Sequence, residues 1–293
     1  MSMDNKEVTL LVILDLSAAF DTIEHSILLN ILRQDFGVNG TALNWFDSFL
    51  SGRKQRILVG DKTSDDFNLN CGVPHGSCMG PILFTPHVSR LFDIISHQHL
   101  PSVHGYAHDT QIYLSFRPRS IHSEINSVSV IEKCIADVRS WFIGNRLMIN
   151  DAKTDFLIIG TCQQLEKTSI QSIIIGDTVI KPSESVRNLG SWFDAFMRMN
   201  VHISKICSKA SRGLYNIRQI RKFLTVQSTK TLIHAFVSSH LDYCNALLFA
   251  LPKYQLDRLQ KVQNAAARVT LQIAKFDHIT TAPIDLHKTA IPS

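Results

Sequence analysis

"HGYAHDTQIYL", residues 104–114, is the stretch whose reading decides the fold. Two short runs of strand-forming residues flank Ala107, His108 and Asp109, the pattern of two strands pinched into a turn with a polar pair at its tip. A second strand is written as "VTLLVILD", residues 8–15, an aliphatic and β-branched run without polar alternation, as in a strand buried on both faces. It ends in a carboxylate, Asp15. Alone, Asp15 reads as a cap on the approach to a helix and Asp109 as a turn former. Together they are two acids at strand ends.

Working outward, Asp21-Thr22-Ile23-Glu24 has the form of a capping box opening a helix with the apolar stripe Ile27, Leu28, Ile31, Leu32. A shorter helix spans 41–50. The segment 53–70 reads as a hairpin turning at Gly60-Asp61. The glycine- and proline-dense "CGVPHGSCMGPILF" (71–84) leads into a helix reaching about Ser96, and 121–143 is helical by its apolar period. Short strands are expected at 156–159, 172–175, 179–180 and 185–192. Beyond Met197 only helices are read, at 203–217, 226–237, 241–248 and 255–273. The fold class is α+β, an antiparallel sheet with packed helices over 1–195, then an all-helical region over 196–275 and a loosely ordered tail over 276–293.

With 293 residues, 45% apolar and 19% charged, the chain has ample material for folded cores. Its longest apolar run is far short of the roughly 20 residues of a membrane span, and acids precede it where a signal peptide is basic. The six cysteines include no CxxC pair, so no zinc site or disulfide framework is indicated, and a reducing nuclear or cytoplasmic setting is expected over secretion. The net charge of +5 is unevenly placed. No acid occurs between Asp194 and Asp242, an interval holding Arg198, Lys205, Lys209, Arg212, Arg218, Arg221, Lys222 and Lys230. Such a one-signed face is either ordinary solvated helix surface or a seat for a phosphate backbone.

Carboxylates converging from separate strands suit a pair of divalent ions, about 3.5–4 Å apart, that hold an attacking hydroxyl and a leaving phosphate in line. "LVILDLSAAFDTIEHSIL", "CGVPHGSCMGPILF", "GYAHDTQIY", "NRLMINDAKTDFLIIG" and "VRNLG" follow one another in the order and near the intervals of the palm motifs of non-LTR (LINE-type) retrotransposon reverse transcriptases. "SHLDYCNALLFALPKYQLDRLQKVQNAAARV" is similar to the thumb-like helical segment after that palm. The resemblance implies an RNA-directed DNA polymerase working on an RNA template, a DNA primer and deoxynucleoside triphosphates with two Mg²⁺ ions. It makes Asp15 a metal ligand and Asp109 its neighbour in the turn. Phe20 resembles the aromatic beneath the incoming sugar that excludes a 2′-hydroxyl. His75, Gly76 and Ser77 fall in the loop that approaches nucleotide and template, and Lys153 where the family keeps a lysine facing the leaving pyrophosphate. Lys205, Lys209, Arg212 and Arg218 would contact nucleic acid.

This sequence departs from the family pattern at three places. The turn that reads Tyr-Ala-Asp-Asp or Phe-Ala-Asp-Asp in the family has His108 at the first acid, and an imidazole nitrogen there replaces a charged oxygen where Mg²⁺ wants one. Asp109 is expected to be a poor substitute. His75 stands in place of Gln. Thr85-Pro86 falls inside a helix, where Pro86 either removes a hydrogen bond or restarts the helix with Thr85 as its cap. The first strand begins within ten residues of Met1, so no fingers subdomain or endonuclease is expected in this chain, and nucleotide positioning should suffer. The expectation is a weak or inactive enzyme by descent. The alternatives are a non-catalytic nucleic-acid binder or a retroelement relic without a role.

Overall fold

The computed structural model describes residues 3–17, 19–74, 76–96, 101–107 and 109–274. His75, His108 and the expected tail over 276–293 lie outside the described residues. The chain divides into two compact units, Met1–Glu184 and Ser185–Ser293.

In the first unit Val8–Leu14 is an inner strand of a four-stranded antiparallel sheet ordered Asp155–Ile159, Val8–Leu14, Asp109–Phe116, Ser102–Tyr106. Val8, Leu10, Val12 and Leu14 share one face and are fully buried, as are or nearly are their partners Leu114, Ile112 and Thr110 on the next strand. This face joins one apolar core with Leu83, Phe84 and Leu91 of helix Met79–Ser96 and Ile131, Ile135 and Phe142 of helix Ile121–Gly144. Ser120 starts the latter helix by accepting a hydrogen bond from the Ser123 amide at 3.2 Å.

Two local expectations are corrected, and of the two alternatives at Pro86 the uninterrupted helix holds. No capping box forms at Asp21–Glu24: the backbone of Glu24 bridges Cys71, its carboxylate pairs with Arg146 at 2.7 Å, and helix His25–Gln34 starts after it without a side-chain cap. Helix Met79–Ser96 runs through Pro86 without restarting, and Thr85 does not cap; its hydroxyl donates back to the Pro81 carbonyl at 2.9 Å. The stretch 185–192 is not one strand but most of a hairpin, Ser185–Asn188 against Ser191–Asp194, turning where Leu189 and Gly190 both have positive φ.

The second unit contains that hairpin and the helices. The stripe Ile203, Ile206, Ala210, Leu214 and Ile217 of helix Asn200–Ile220 is buried against Ile233, Val237, Leu241, Leu259, Val262 and Ala266. Helix Val226–Ile233 continues into a π-helical turn, His234–Ser238. The expected helix over 241–248 is instead two pieces, Ser239–Asp242 and the 3₁₀ turn Asn245–Leu248, parted by Cys244 with φ 53°. Helix Lys253–Leu271 has its last carbonyls, Val269 and Thr270, bound by the Arg221 guanidinium, which also reaches Leu224, all at 2.8–2.9 Å. Among the described residues no helix is long and apolar enough to cross a membrane.

His87 of helix Met79–Ser96 is fully buried, and neither ring nitrogen has a hydrogen-bond partner among the described residues. Burial pushes its imidazole down to about 4 from 6.5. Above pH 6.5 both folded and unfolded chains hold it neutral. Below that, the unfolded chain takes up the proton and the folded one resists, so stability falls as pH drops from 6.5 towards 4. His87→Leu is expected to remove a loss of about 2 kcal/mol between pH 6.5 and 5, measured by urea unfolding at both pH values. An unchanged pH slope in His87→Leu would refute this.

Candidate active site

The two acids picked out in the sequence stand beside the last pair of one strand ladder. The pairing of the two strands ends at Leu14 with Thr110, and Asp15 follows Leu14 as Asp109 precedes Thr110. Leu14 and Thr110 are buried, whereas Asp15 and Asp109 are only half-buried. Tyr106 pairs with Asp109, so Asp109 opens its strand and Ala107, with φ 52°, belongs to the turn.

Lys153 joins them, its Nζ 3.4 Å from Asp15 Oδ2. It is brought there by the turn Asp151–Lys153. The Asn150 amide donates to the Asp15 carbonyl at 2.8 Å, and Arg139 holds the Asp151 carboxylate by two bonds of 2.7 and 3.1 Å. The aromatic and loop candidates gather at the start of helix Met79–Ser96. Phe20 is half-buried with its ring 4.9 Å from that of Phe84, against the face of Gly80. Gly76 has φ +74°, and the Ser77 hydroxyl accepts the Gly80 amide at 3.1 Å, serving the helix start. The Val73 amide donates to the Phe20 carbonyl at 2.8 Å, tying the loop to the Phe20 segment.

The sequence reading missed the residue that anchors this loop. Gly72 has φ +85°; its amide donates to Ile23, and its carbonyl accepts His25 Nε2 at 2.9 Å and Arg53 at 3.0 Å. A Cβ there would lie 2.9 Å from the Asp21 carbonyl oxygen. Its glycine-dense context was the available signal. In the helical unit, Lys205, Lys209 and Arg212 line one cleft as their spacing suggests. Arg218 does not join them; it lines a separate cleft with Arg221 and Arg268.

Two carboxylate oxygen donors suit a hard divalent cation in kind. They are few, and the Lys153 ammonium already offsets part of the Asp15 charge. Among the described residues no group of three or more His, Cys, Asp or Glu side chains is gathered to hold a metal ion.

Residues 1–193 match the family model described as reverse transcriptase (RNA-dependent DNA polymerase). This chain belongs to the reverse transcriptase family. It is 23% identical over 294 aligned residues to a probable RNA-directed DNA polymerase from transposon X-element of Drosophila melanogaster. That alignment covers 97% of this chain and 30% of the relative, so the chain spans about a third of the relative's length. Among solved structures, apo telomerase from Candida tropicalis is similar with a TM-score of 0.45 and 10% identity over 90% of this chain and 47% of that one. The same telomerase in complex with a fragment of telomeric RNA gives 0.42 and 10%, over 97% and 50%. Residues 1–193 carry the α+β fold of that family, helices follow in the second unit, and the family uses divalent metal ions.

Replacing Gly72 by Ala forces a left-handed backbone on a residue with a Cβ and drives that Cβ into the Asp21 backbone. The expected loss is about 2 kcal/mol or more in urea unfolding, with Ala controls at exposed positions near zero.

Proposed function

We propose that this reverse transcriptase domain carries out RNA-directed DNA synthesis at the strand ends bearing Asp15 and Asp109, and does so slowly. The observation that supports the reading is that both acids flank the last pair of the Val8–Leu14 and Asp109–Phe116 ladder, with Lys153 3.4 Å from Asp15. Asp15 and Asp109 are the residues that would hold Mg²⁺, whose chemistry when bound is to lower the pKa of a primer hydroxyl and neutralise phosphate charge. The reaction is attack of a DNA primer 3′-oxygen on the α-phosphorus of a deoxynucleoside triphosphate paired to an RNA template, expelling pyrophosphate.

The chain's own residues divide that work. Lys153 carries its ammonium beside Asp15, where it can give charge or a proton to the leaving pyrophosphate. Phe20, wedged against Phe84, offers a fixed ring edge for discriminating deoxyribose from ribose. Gly76, with its left-handed backbone and no side chain, permits close approach by nucleotide and template. His108 supplies a nitrogen where the family has a carboxylate, leaving two acids to hold cations that a triphosphate also contacts. His75 replaces a neutral amide beside the nucleotide.

Primer extension on an RNA template tests this. His108→Asp is expected to raise the rate about 100-fold or more over the native chain, since even outer partners of metal ligands are worth 10–100-fold, and Asp15→Asn to abolish extension in both backgrounds. Equal rates for the native chain and His108→Asp would sink the reading of the metal site. The basic cleft formed by Lys205, Lys209 and Arg212 favours a second reading, a non-catalytic nucleic-acid binder. Its mark is salt-sensitive binding that survives Asp15→Ala while His108→Asp extends no primer.

A further inference from the structure

The helical unit has a feature that the chemistry at Asp15 does not use. Between helix Asn200–Ile220 and the π-helical turn His234–Ser238 lies a cleft of about 420 Å³ lined by Lys205, Lys209, Arg212, Asn216, Phe236 and His240. It adjoins a hollow of about 160 Å³ walled by Ile217, Ile220, Leu232 and again Phe236. Phe236, 54% exposed, is a wall common to both, with Gly213 and Asn216. A lone exposed aromatic calls for no explanation. This one stands between a cationic cleft and an apolar hollow, on a π-helical turn, a rare form concentrated at functional sites.

The local geometry accounts for its exposure. Gly213 lets the two backbones approach so closely that a Cβ would lie 2.6 Å from the Phe236 carbonyl oxygen, so the main chain of Phe236, not its ring, fills the helix contact. Lys205, Lys209 and Arg212, spaced i, i+4, i+7, line the same cleft over about 10 Å of helix. Lys209 and Arg212 have no ion-pair partner among the described residues, and no acid occurs from residue 195 to 241 to supply one from this part of the chain.

We propose that this cleft binds single-stranded nucleic acid, with one unpaired base stacked on Phe236 and the flanking phosphates on Lys205, Lys209 and Arg212. The inference rests on reading the chain as a nucleic-acid polymerase module, though not on its metal site. An unpaired base has a free face to offer the ring, whereas the bases of a duplex are stacked on one another. The cleft falls within the range of about 300–1,000 Å³ usual for small-ligand sites, which suits one nucleotide unit. Asn216 presents an amide at the junction of cleft and hollow, where a base edge seated on Phe236 would need hydrogen-bond partners.

The test is fluorescence anisotropy with the full chain in EDTA, so that no metal-dependent chemistry contributes. Three probes of one sequence are compared: single-stranded RNA, single-stranded DNA and the blunt RNA–DNA duplex. Phe236→Ala is expected to weaken single-strand binding about tenfold or more and duplex binding less than about twofold, and Phe236→Tyr to stay within about twofold of the native chain. Lys209→Gln should weaken all three probes and flatten the salt dependence. The RNA and DNA arms tell which strand the site prefers. As a spectroscopic readout, 2-aminopurine in the single strand should be quenched on binding to the native chain and not to Phe236→Ala. Unchanged single-strand affinity in a folded Phe236→Ala protein, or an equal loss for strand and duplex, overturns the proposal. Primer extension separates this from the active-site reading: extension by His108→Asp with unchanged single-strand affinity in Phe236→Ala removes only the cleft, and the binding pattern without extension by His108→Asp removes only the metal site.

Discussion

The antiparallel pairing of Val8–Leu14 with Asp109–Phe116 governs both the core and the acids of the first unit. Side chains alternate with a period of two along each strand, so a single register decides which residues join the helices and which face away. In the observed register Leu14 and Thr110 go inward together, and the acids next to them in sequence are less buried. A slip of one residue would carry Thr110 out of the core and Asp109 into it. Burying a carboxylate there without a partner is costly enough to exclude that pairing. The same apolar contacts that fold the sheet therefore fix where the carboxylates stand.

Around that end of the sheet the contacts turn polar and connect segments distant in sequence. Arg139 grips Asp151 and so sets the turn bearing Lys153. Glu24 takes Arg146, and the Gly72 carbonyl gathers His25 and Arg53. Pairs as exposed as Glu24–Arg146 add about 1 kcal/mol or less each. Their weight lies in orientation, since each ties a loop near the acids to a helix rooted in the core.

Much of this was legible in the sequence where the pattern is local. The unbroken aliphatic run of 8–14 could only be an inner strand, and Gly60-Asp61 marked a turn that joins Leu58–Val59 to Lys62–Thr63. Asp15 and Asp109 stood out as acids ending strands. What escaped depends on partners far away. Glu24 looks like the return half of a capping box until Cys71 and Arg146 claim it. The importance of Gly72 follows from donors 19 and 47 residues off. The 185–194 hairpin was missed because Leu189, not a glycine or asparagine, takes the first left-handed turn position. Arg218 was grouped with Lys205, Lys209 and Arg212 by charge, but six residues past Arg212 it faces another side of the helix.

Arg221 carries a further consequence for how the basic interval behaves in solution. Its guanidinium is spent on three main-chain oxygens, two of them at the end of helix Lys253–Leu271. It is structural mortar. Arg221 keeps its charge, but the N–H groups it would need to grip a phosphate are already committed to the main chain, so of the eight cations between Asp194 and Asp242 it is the one least able to contact a polyanion directly.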